Sequence, residues 1–219
     1  MNLKASLDEF RNEFLAKIPP EAATLMEQET LNLAEEFNSR ELLTIGDIAP
    51  DFTLSNASNQ QINLQNYLAK GAVILTFYRG GWCPYCNLEL RAYQQLLPEI
   101  KSIGASLIAV SPQAPDNSLS TAEKNDLEFD VLSDVGSEVA KAYGVAFTLS
   151  HKLQKLYTNW GAFLPKINGI DSWTLPVPGT FVIAPDSRII LANVNVDYTQ
   201  RLEPKKALEA IKNLTTSVA

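Results

Sequence analysis

Chemistry in this 219-residue chain is most concentrated in Phe77-Tyr78-Arg79-Gly80-Gly81-Trp82-Cys83-Pro84-Tyr85-Cys86, which holds its only two cysteines. The pair falls where an apolar run gives way to a helical pattern. Cys83 then sits at or beside the N-cap, Pro84 suits the first helical position, and Cys86 lies in the first turn with its backbone N–H free. Unpaired amides and the positive end of the helix dipole lower a thiol pKa, and the thiolate is the nucleophile in disulfide exchange and peroxide reduction. Arg79 is the candidate for adding positive charge, and Trp82, Tyr85 and Pro178 are the candidates for lining the site. A three-residue spacing also lets the two sulfurs meet as a local disulfide. Against this stands the plainer reading of both cysteines as small buried hydrophobes. A structural zinc needs four ligands, and two cysteines with one distant histidine, His151, fall short. The expectation is therefore no metal and no cofactor beyond the Cys83–Cys86 pair itself. His151 stands alone in a polar helical stretch and reads as a surface or structural residue.

The elements that must position the pair follow from periodicity. Residues 72–78 are β-branched, aromatic and apolar on both faces, as in a central strand covered by helices on both sides. From Pro84 the spacing of Leu88, Ala92, Leu96 and Leu97 predicts a long helix that Gly104 stops. Strands over 106–111 and 129–132 alternate with helices over 116–127 and 136–143, which implies parallel pairing with crossover helices. A hairpin over 180–194 turns at Pro185-Asp186-Ser187, and a last helix opens at Glu203-Pro204. Ahead of all this, residues 1–45 read as two amphipathic helices, the first begun by a Ser6–Glu9 capping box and stopped by Pro19-Pro20. The bland reading is that they cap the neighbouring domain; the sharper one is a dimer surface or a cover for the site. A boundary at Gly46-Asp47-Ile48-Ala49-Pro50 separates this helical extension from a domain over 46–219. Within that domain, residues 145–178 exceed an ordinary loop and are expected to be an insertion with local structure or function.

Acidic residues outnumber basic ones by seven, and the Lys and Arg residues are scattered, so no phosphate-neutralising stripe for nucleic acid is visible. The longest uninterrupted apolar run, 72–75, cannot cross a bilayer, and the N-terminus shows no apolar run of signal-peptide length. These features predict a soluble, intracellular, cytoplasmic protein that binds neither membrane nor nucleic acid. In a reducing compartment a close cysteine pair is more often catalytic or metal-binding than structural.

From about Gly46 to Val196 the sequence resembles peroxiredoxins of the AhpC/TSA group, which have the thioredoxin-like fold. The opening segment Gly46-Asp47-Ile48-Ala49-Pro50-Asp51-Phe52-Thr53-Leu54 is similar to the family's own. Phe77-Tyr78, Cys86, Glu89 and Tyr93 follow the spacing of its peroxidatic-cysteine motif. Leu132-Ser133-Asp134, Ala142-Tyr143-Gly144 and Thr180-Phe181-Val182-Ile183 match later landmarks. This sequence carries Arg79 where the motif has proline and Cys83 where it has threonine or serine. Pro178 holds the place of the family's second essential arginine, and Pro178-Gly179-Thr180 is similar to the cis-proline loop that faces the cysteine pair in thioredoxins. The nearest resemblance is to an atypical peroxiredoxin-like branch with a Trp-Cys-Pro-Tyr-Cys centre.

The resemblance implies a three-layer α/β/α sandwich and a thiol-dependent peroxidase acting on hydrogen peroxide or organic hydroperoxides. Cys86 would attack, Cys83 would complete the disulfide, and a thioredoxin- or glutathione-type reductant would reopen it. Helix-start geometry instead favours Cys83 as the attacking thiol, which suits a thiol-disulfide oxidoreductase without peroxidase activity. A non-catalytic binding module on the same fold is the third reading. Glu89, Pro178 and Thr180 complete the set of expected supporting residues, and a homodimer through residues 1–45 is the alternative to their capping the neighbouring domain.

Overall fold

A computed structural model describes residues 2–216. A seven-stranded sheet in the order β2-β1-β5-β4-β3-β8-β9 forms its middle layer. The central strand β3 (Val73–Phe77) is buried along its whole length. It runs parallel to β4 (Ser106–Ser111), which runs parallel to β5 (Asp130–Ser133). On the other side β3 pairs antiparallel with β8 (Gly179–Ile183), and β8 with β9 (Ile189–Val194). At the far edge β1 (Thr53–Asn56) pairs antiparallel with β2 (Gln61–Asn63) and β5. The mixed sheet follows from its connections: helical crossovers make parallel neighbours, whereas the tight turn at Pro185-Asp186-Ser187 permits only an antiparallel hairpin.

Helices cover both faces, so alternate side chains of β3 enter two different cores. Val73, Leu75 and Phe77 join Leu64 and Leu68 of α3 (Leu64–Leu68), Val139 and Ala140 of α6 (Glu138–Ala142), and Phe181. Ile74 joins Tyr93, Leu97 and Ile100 of α4 (Pro84–Ser102) and Ala207, Leu208 and Ile211 of α9 (Pro204–Thr216). Each fully buried aliphatic side chain is worth about 1.5–3 kcal/mol relative to leaving it in water. The crossover α5 (Pro115–Lys124) links β4 to β5. This is the three-layer α/β/α arrangement expected from the alternation of patterns.

The first helix, α1 (Leu3–Lys17), starts earlier than a Ser6–Glu9 capping box predicts. Asn2 is the N-cap and its side chain accepts from the Ala5 N–H, because a carboxamide one residue ahead of Leu3 captures the free amide first. Leu3 and Leu7 bury against α4, in the same cluster as Tyr78, Cys83, Tyr85 and Cys86. The second helix, α2 (Pro20–Asn38), buries Ala22, Met26 and Phe37 and approaches the 145–178 segment. That segment has structure of its own. A small antiparallel pair, β6 (Ala146–Thr148) with β7 (Thr174–Pro176), frames α7 (His151–Asn159) and α8 (Leu164–Asn168). Leu149, Tyr157, Leu164 and Leu175 make its core, and Trp82 packs against it. His151 is exposed at the start of α7.

Candidate active site

The strand β3 delivers residues 78–83 to the head of α4, and a buried polar network fixes that turn. The Gly81 N–H donates to Gln113 Oε1 at 2.8 Å, and Asn87 Nδ2 donates to the Gly81 carbonyl at 2.9 Å. Gln113 Nε2 donates to Thr121 Oγ1 at 3.1 Å, and Asn125 Nδ2 to Asn87 Oδ1 at 3.1 Å. Gly80 has φ +146°, and a Cβ there would lie 2.4 Å from Trp82 Nε1, so this turn requires glycine. Cys83 is the N-cap of α4 with Pro84 in the first turn; its N–H donates to the Gly80 carbonyl at 3.0 Å. Both cysteines are free thiols, Cys83 2% exposed and Cys86 fully enclosed.

Two buried guanidinium groups flank the pair. Arg79 Nη2 donates to the Tyr157 hydroxyl at 2.6 Å, and its Nε has no partner among the described residues. The group stacks on three rings, 4.4 Å from the centroid of Tyr198, 5.1 Å from Trp82 and 5.4 Å from Tyr157. Three aromatic faces offset part of the cost of burying this cation. On the opposite side Arg201 Nε donates to Glu89 Oε2 at 2.7 Å and Arg201 Nη2 lies 3.6 Å from Cys86 Sγ. Arg201 also donates to the Tyr198 and Gln200 carbonyls.

This environment separates the two thiols. Burial pushes the Cys83 thiol up, but the hydrogen bond from Cys86 and the Arg79 and Arg201 charges outweigh it and bring it down to about 6. Cys86 moves the other way: burial, its bond to Cys83 and the Cys83 charge hold it well above its ordinary value. Burial also pushes the Glu89 carboxyl up to about 7 against the pull of Arg201. The environment favours the thiolate at Cys83 and the protonated thiol at Cys86. Cys83 opens on a cleft of about 220 Å³ whose walls come from Phe10 and Phe14 of α1, Met26 of α2, Tyr157 of α7 and Trp160 at its C-cap, and Trp82, Tyr85 and Tyr198. Cys86 is not in that lining.

Of the residues singled out from sequence, Arg79, Trp82, Cys83, Pro84 and Tyr85 meet at this cleft, and Glu89 pairs with Arg201 behind Cys86. Pro178 borders a second, smaller space against Arg79, Tyr157 and Tyr198. Its peptide bond is trans, which departs from the cis-proline resemblance; the residue runs straight into β8, where Gly179 already pairs with Phe77. Thr180 faces Thr76 and Tyr93 at 3.4 Å each, away from the cleft. Arg201, Tyr157 and Tyr198 join the site without a sequence signal that points to it. Tyr157 follows Leu153 at helical spacing and reads as core, and Arg201 lies in an aperiodic stretch. Among the described residues no group of three or more His, Cys, Asp or Glu side chains gathers as a metal site, and no helix is long and apolar enough to cross a membrane.

The architecture and the thiols at the head of α4 define a thioredoxin-like protein. The AhpC/TSA family model matches residues 45–192, and the chain belongs to that family. Over 110 residues it is 34% identical to the thiol-disulfide oxidoreductase ResA of Bacillus cereus, covering 50% of this chain and 62% of that one. The match thus spans less than two thirds of that relative's own length. A putative peroxiredoxin of Mycobacterium tuberculosis is 27% identical over 157 residues, covering 72% of this chain and 88% of the other. Among solved structures, the peroxidoxin BcpB of Mycobacterium tuberculosis superposes with a TM-score of 0.62 at 23% identity, over 78% of this chain and 98% of that one.

Proposed function

We propose that this protein is a thiol-dependent peroxidase whose attacking thiolate is Cys83 and whose resolving thiol is Cys86. The observation that carries the reading is the Arg79 guanidinium, buried beside Cys83 with an unused Nε–H donor. Heterolysis of a peroxide leaves negative charge on the departing oxygen, and a preorganised cation in a water-poor site stabilises it. Attack gives a Cys83 sulfenic acid, and Cys86 condenses with it to a disulfide with loss of water. In this reading the pair is the whole redox centre, with no bound cofactor, and a thioredoxin- or glutathione-type reductant of the cytoplasm reopens the disulfide. Residues 46–219 are the thioredoxin-like unit and 1–45 an appendage that walls the cleft or joins two copies in a homodimer.

Thiol-disulfide exchange without peroxidase activity is the second reading, supported by the likeness to the Bacillus cereus oxidoreductase and by an attacking thiolate at a helix N-cap. Stopped-flow oxidation of the reduced protein by hydrogen peroxide separates the two. Wild type and Cys86→Ser should react far faster than free cysteine, with Cys83→Ser inert and Cys86→Ser halting at the sulfenic acid. A wild type no faster than free cysteine, yet quick to exchange with a disulfide, favours the second reading. Loss of reaction in Cys86→Ser alone would reverse the two roles, as the family alignment implies.

A further inference from the structure

The 145–178 segment does more than close one side of the cleft. Tyr157 is 4% exposed, and its ring is held by Leu149, Leu164 and Leu175 and by Trp82, with ring centroids 5.6 Å apart. Its oxygen accepts from Arg79 Nη2 at 2.6 Å. A phenol oxygen that accepts one hydrogen bond still has its own O–H to give. Among the described residues no protein acceptor takes that hydrogen, and the side chain borders the cleft on which Cys83 opens. Among the described residues the other hydroxyls of that wall, Tyr85 and Tyr198, accept no hydrogen bond from a cation, whereas Tyr157 does. The Trp82 indole N–H and the Arg79 guanidinium can donate hydrogen bonds but do not release a proton near neutral pH.

We infer that Tyr157 is the proton donor to the departing oxygen of the substrate peroxide, a role that rests on the peroxidase reading above. The Cys83 thiolate attacks the hydroxyl oxygen of ROOH, a sulfur–oxygen bond forms, and the O–O bond breaks with its electron pair going to RO⁻. Tyr157 gives its proton to that oxygen, so the products are Cys83 sulfenic acid, ROH and a tyrosinate. Sulfur is oxidised by two electrons and the peroxide reduced by two. The Arg79 guanidinium already on the phenol oxygen stabilises the tyrosinate, which regains its proton from solvent. Condensation with Cys86 then releases water, the Cys86 proton leaving with the sulfenic hydroxyl.

The test compares Tyr157→Phe with wild type against three reagents: hydrogen peroxide, peracetic acid and a small aromatic disulfide. Hydrogen peroxide expels a strongly basic hydroxide that needs a proton, whereas peracetic acid expels acetate and the disulfide a weakly basic thiolate. General acid catalysis contributes about 10²–10⁴-fold, so the variant should lose at least about tenfold with hydrogen peroxide. Its rates with the other two should stay within about threefold of wild type. Equal losses with all three reagents would make Tyr157 only a positioning group for Arg79 and overturn the assignment, and so would no loss with any. Should the variant not fold, wild-type rates across peroxides of increasing leaving-group basicity give the answer: a shallow dependence supports the donor and a steep one refutes it. If wild type itself reacts with neither peroxide faster than free cysteine, it is the peroxidase reading that fails.

Discussion

Replacing Arg79 with methionine keeps most of the side-chain volume among the three rings and removes the charge. The Cys83 thiol stands at about 6 instead of 9.0, and each pKa unit is worth about 1.4 kcal/mol. The net preference for thiolate is thus about 4 kcal/mol, and it survives the opposing effect of burial. The Cys86 hydrogen bond and two charges supply it, Arg79 the larger of the charges, so loss of Arg79 should raise the Cys83 midpoint by about one unit. The assay is exchange with a small aromatic disulfide as a function of pH. Below both midpoints, near pH 5, one unit removes about tenfold of the thiolate, while the more basic thiolate is about threefold more nucleophilic. The net result is a variant about threefold slower per unit at low pH, and about threefold faster above its new midpoint. The two profiles must cross. Coincident profiles would show that the stacked rings and Cys86 set the Cys83 pKa without the guanidinium, and would refute the role of Arg79 in activating the thiol.

Two further perturbations test the surroundings of the pair. Arg201→Met removes the partner of buried Glu89, whose carboxyl then stays protonated to a higher pH, so the pH-dependent part of the lost stability should reach about 1.4 kcal/mol at pH 8. Because burial raises the folded-state Glu89 pKa above its ordinary 4.5, that loss should be smallest near pH 4.5 and grow as pH rises past 7; chemical denaturation at several pH values checks the sign. A loss independent of pH would place the cost in the lost carbonyl contacts instead. Gly81→Ala puts a Cβ 2.2 Å from Thr121 Oγ1, and such overpacking should cost about 1–3 kcal/mol. In a Thr121→Ala background the same substitution should cost at least about 1 kcal/mol less, measured by urea unfolding, and an unchanged cost would refute the clash.

Where a pattern is repeated along an element it could be read directly. The two-sided apolar run of β3, the helical spacing after Pro84 and the hairpin around Pro185-Asp186-Ser187 each dictate an element whose burial allows few alternatives. The cysteine pair was legible for the same reason, since strand, N-cap and first-turn proline are local features. The cations were legible only by half. Arg79 is four residues from Cys83 and reaches the site through the turn, whereas Arg201 arrives from 115 residues beyond Cys86 through the loop after β9. No period links Arg201 or Tyr157 to the pair; the sheet order, which puts β8 and β9 beside β3, brings Arg201 there, and the packing of the 145–178 segment on Trp82 brings Tyr157. The trans peptide at Pro178 shows the same limit from the other side: a short local likeness does not fix a backbone state that the neighbouring strand decides.

The electrostatics also set the direction in which the pair is biased. A buried guanidinium is tolerated here because a thiolate and three ring faces answer it. Joining Cys83 to Cys86 removes the thiolate and leaves Arg79 with the rings and one hydroxyl, so the fold stabilises the reduced state relative to the disulfide. The bias is towards a more oxidising couple, and only the thiolate present at the working pH contributes to it. Such a couple suits a centre oxidised by peroxide, because O–O cleavage is strongly downhill whatever the potential of the dithiol. What the bias changes is the return step, in which even a modest thiol reductant can reopen the disulfide. The near-complete burial of Cys83 in a cleft walled by α1 and the 145–178 segment acts in the opposite sense, since a protein reductant meets Phe10, Phe14 and Trp160 on its way to that sulfur. In the peroxidase reading, a thermodynamically easy reduction behind an aromatic wall predicts that access to the disulfide, and not its chemistry, limits turnover.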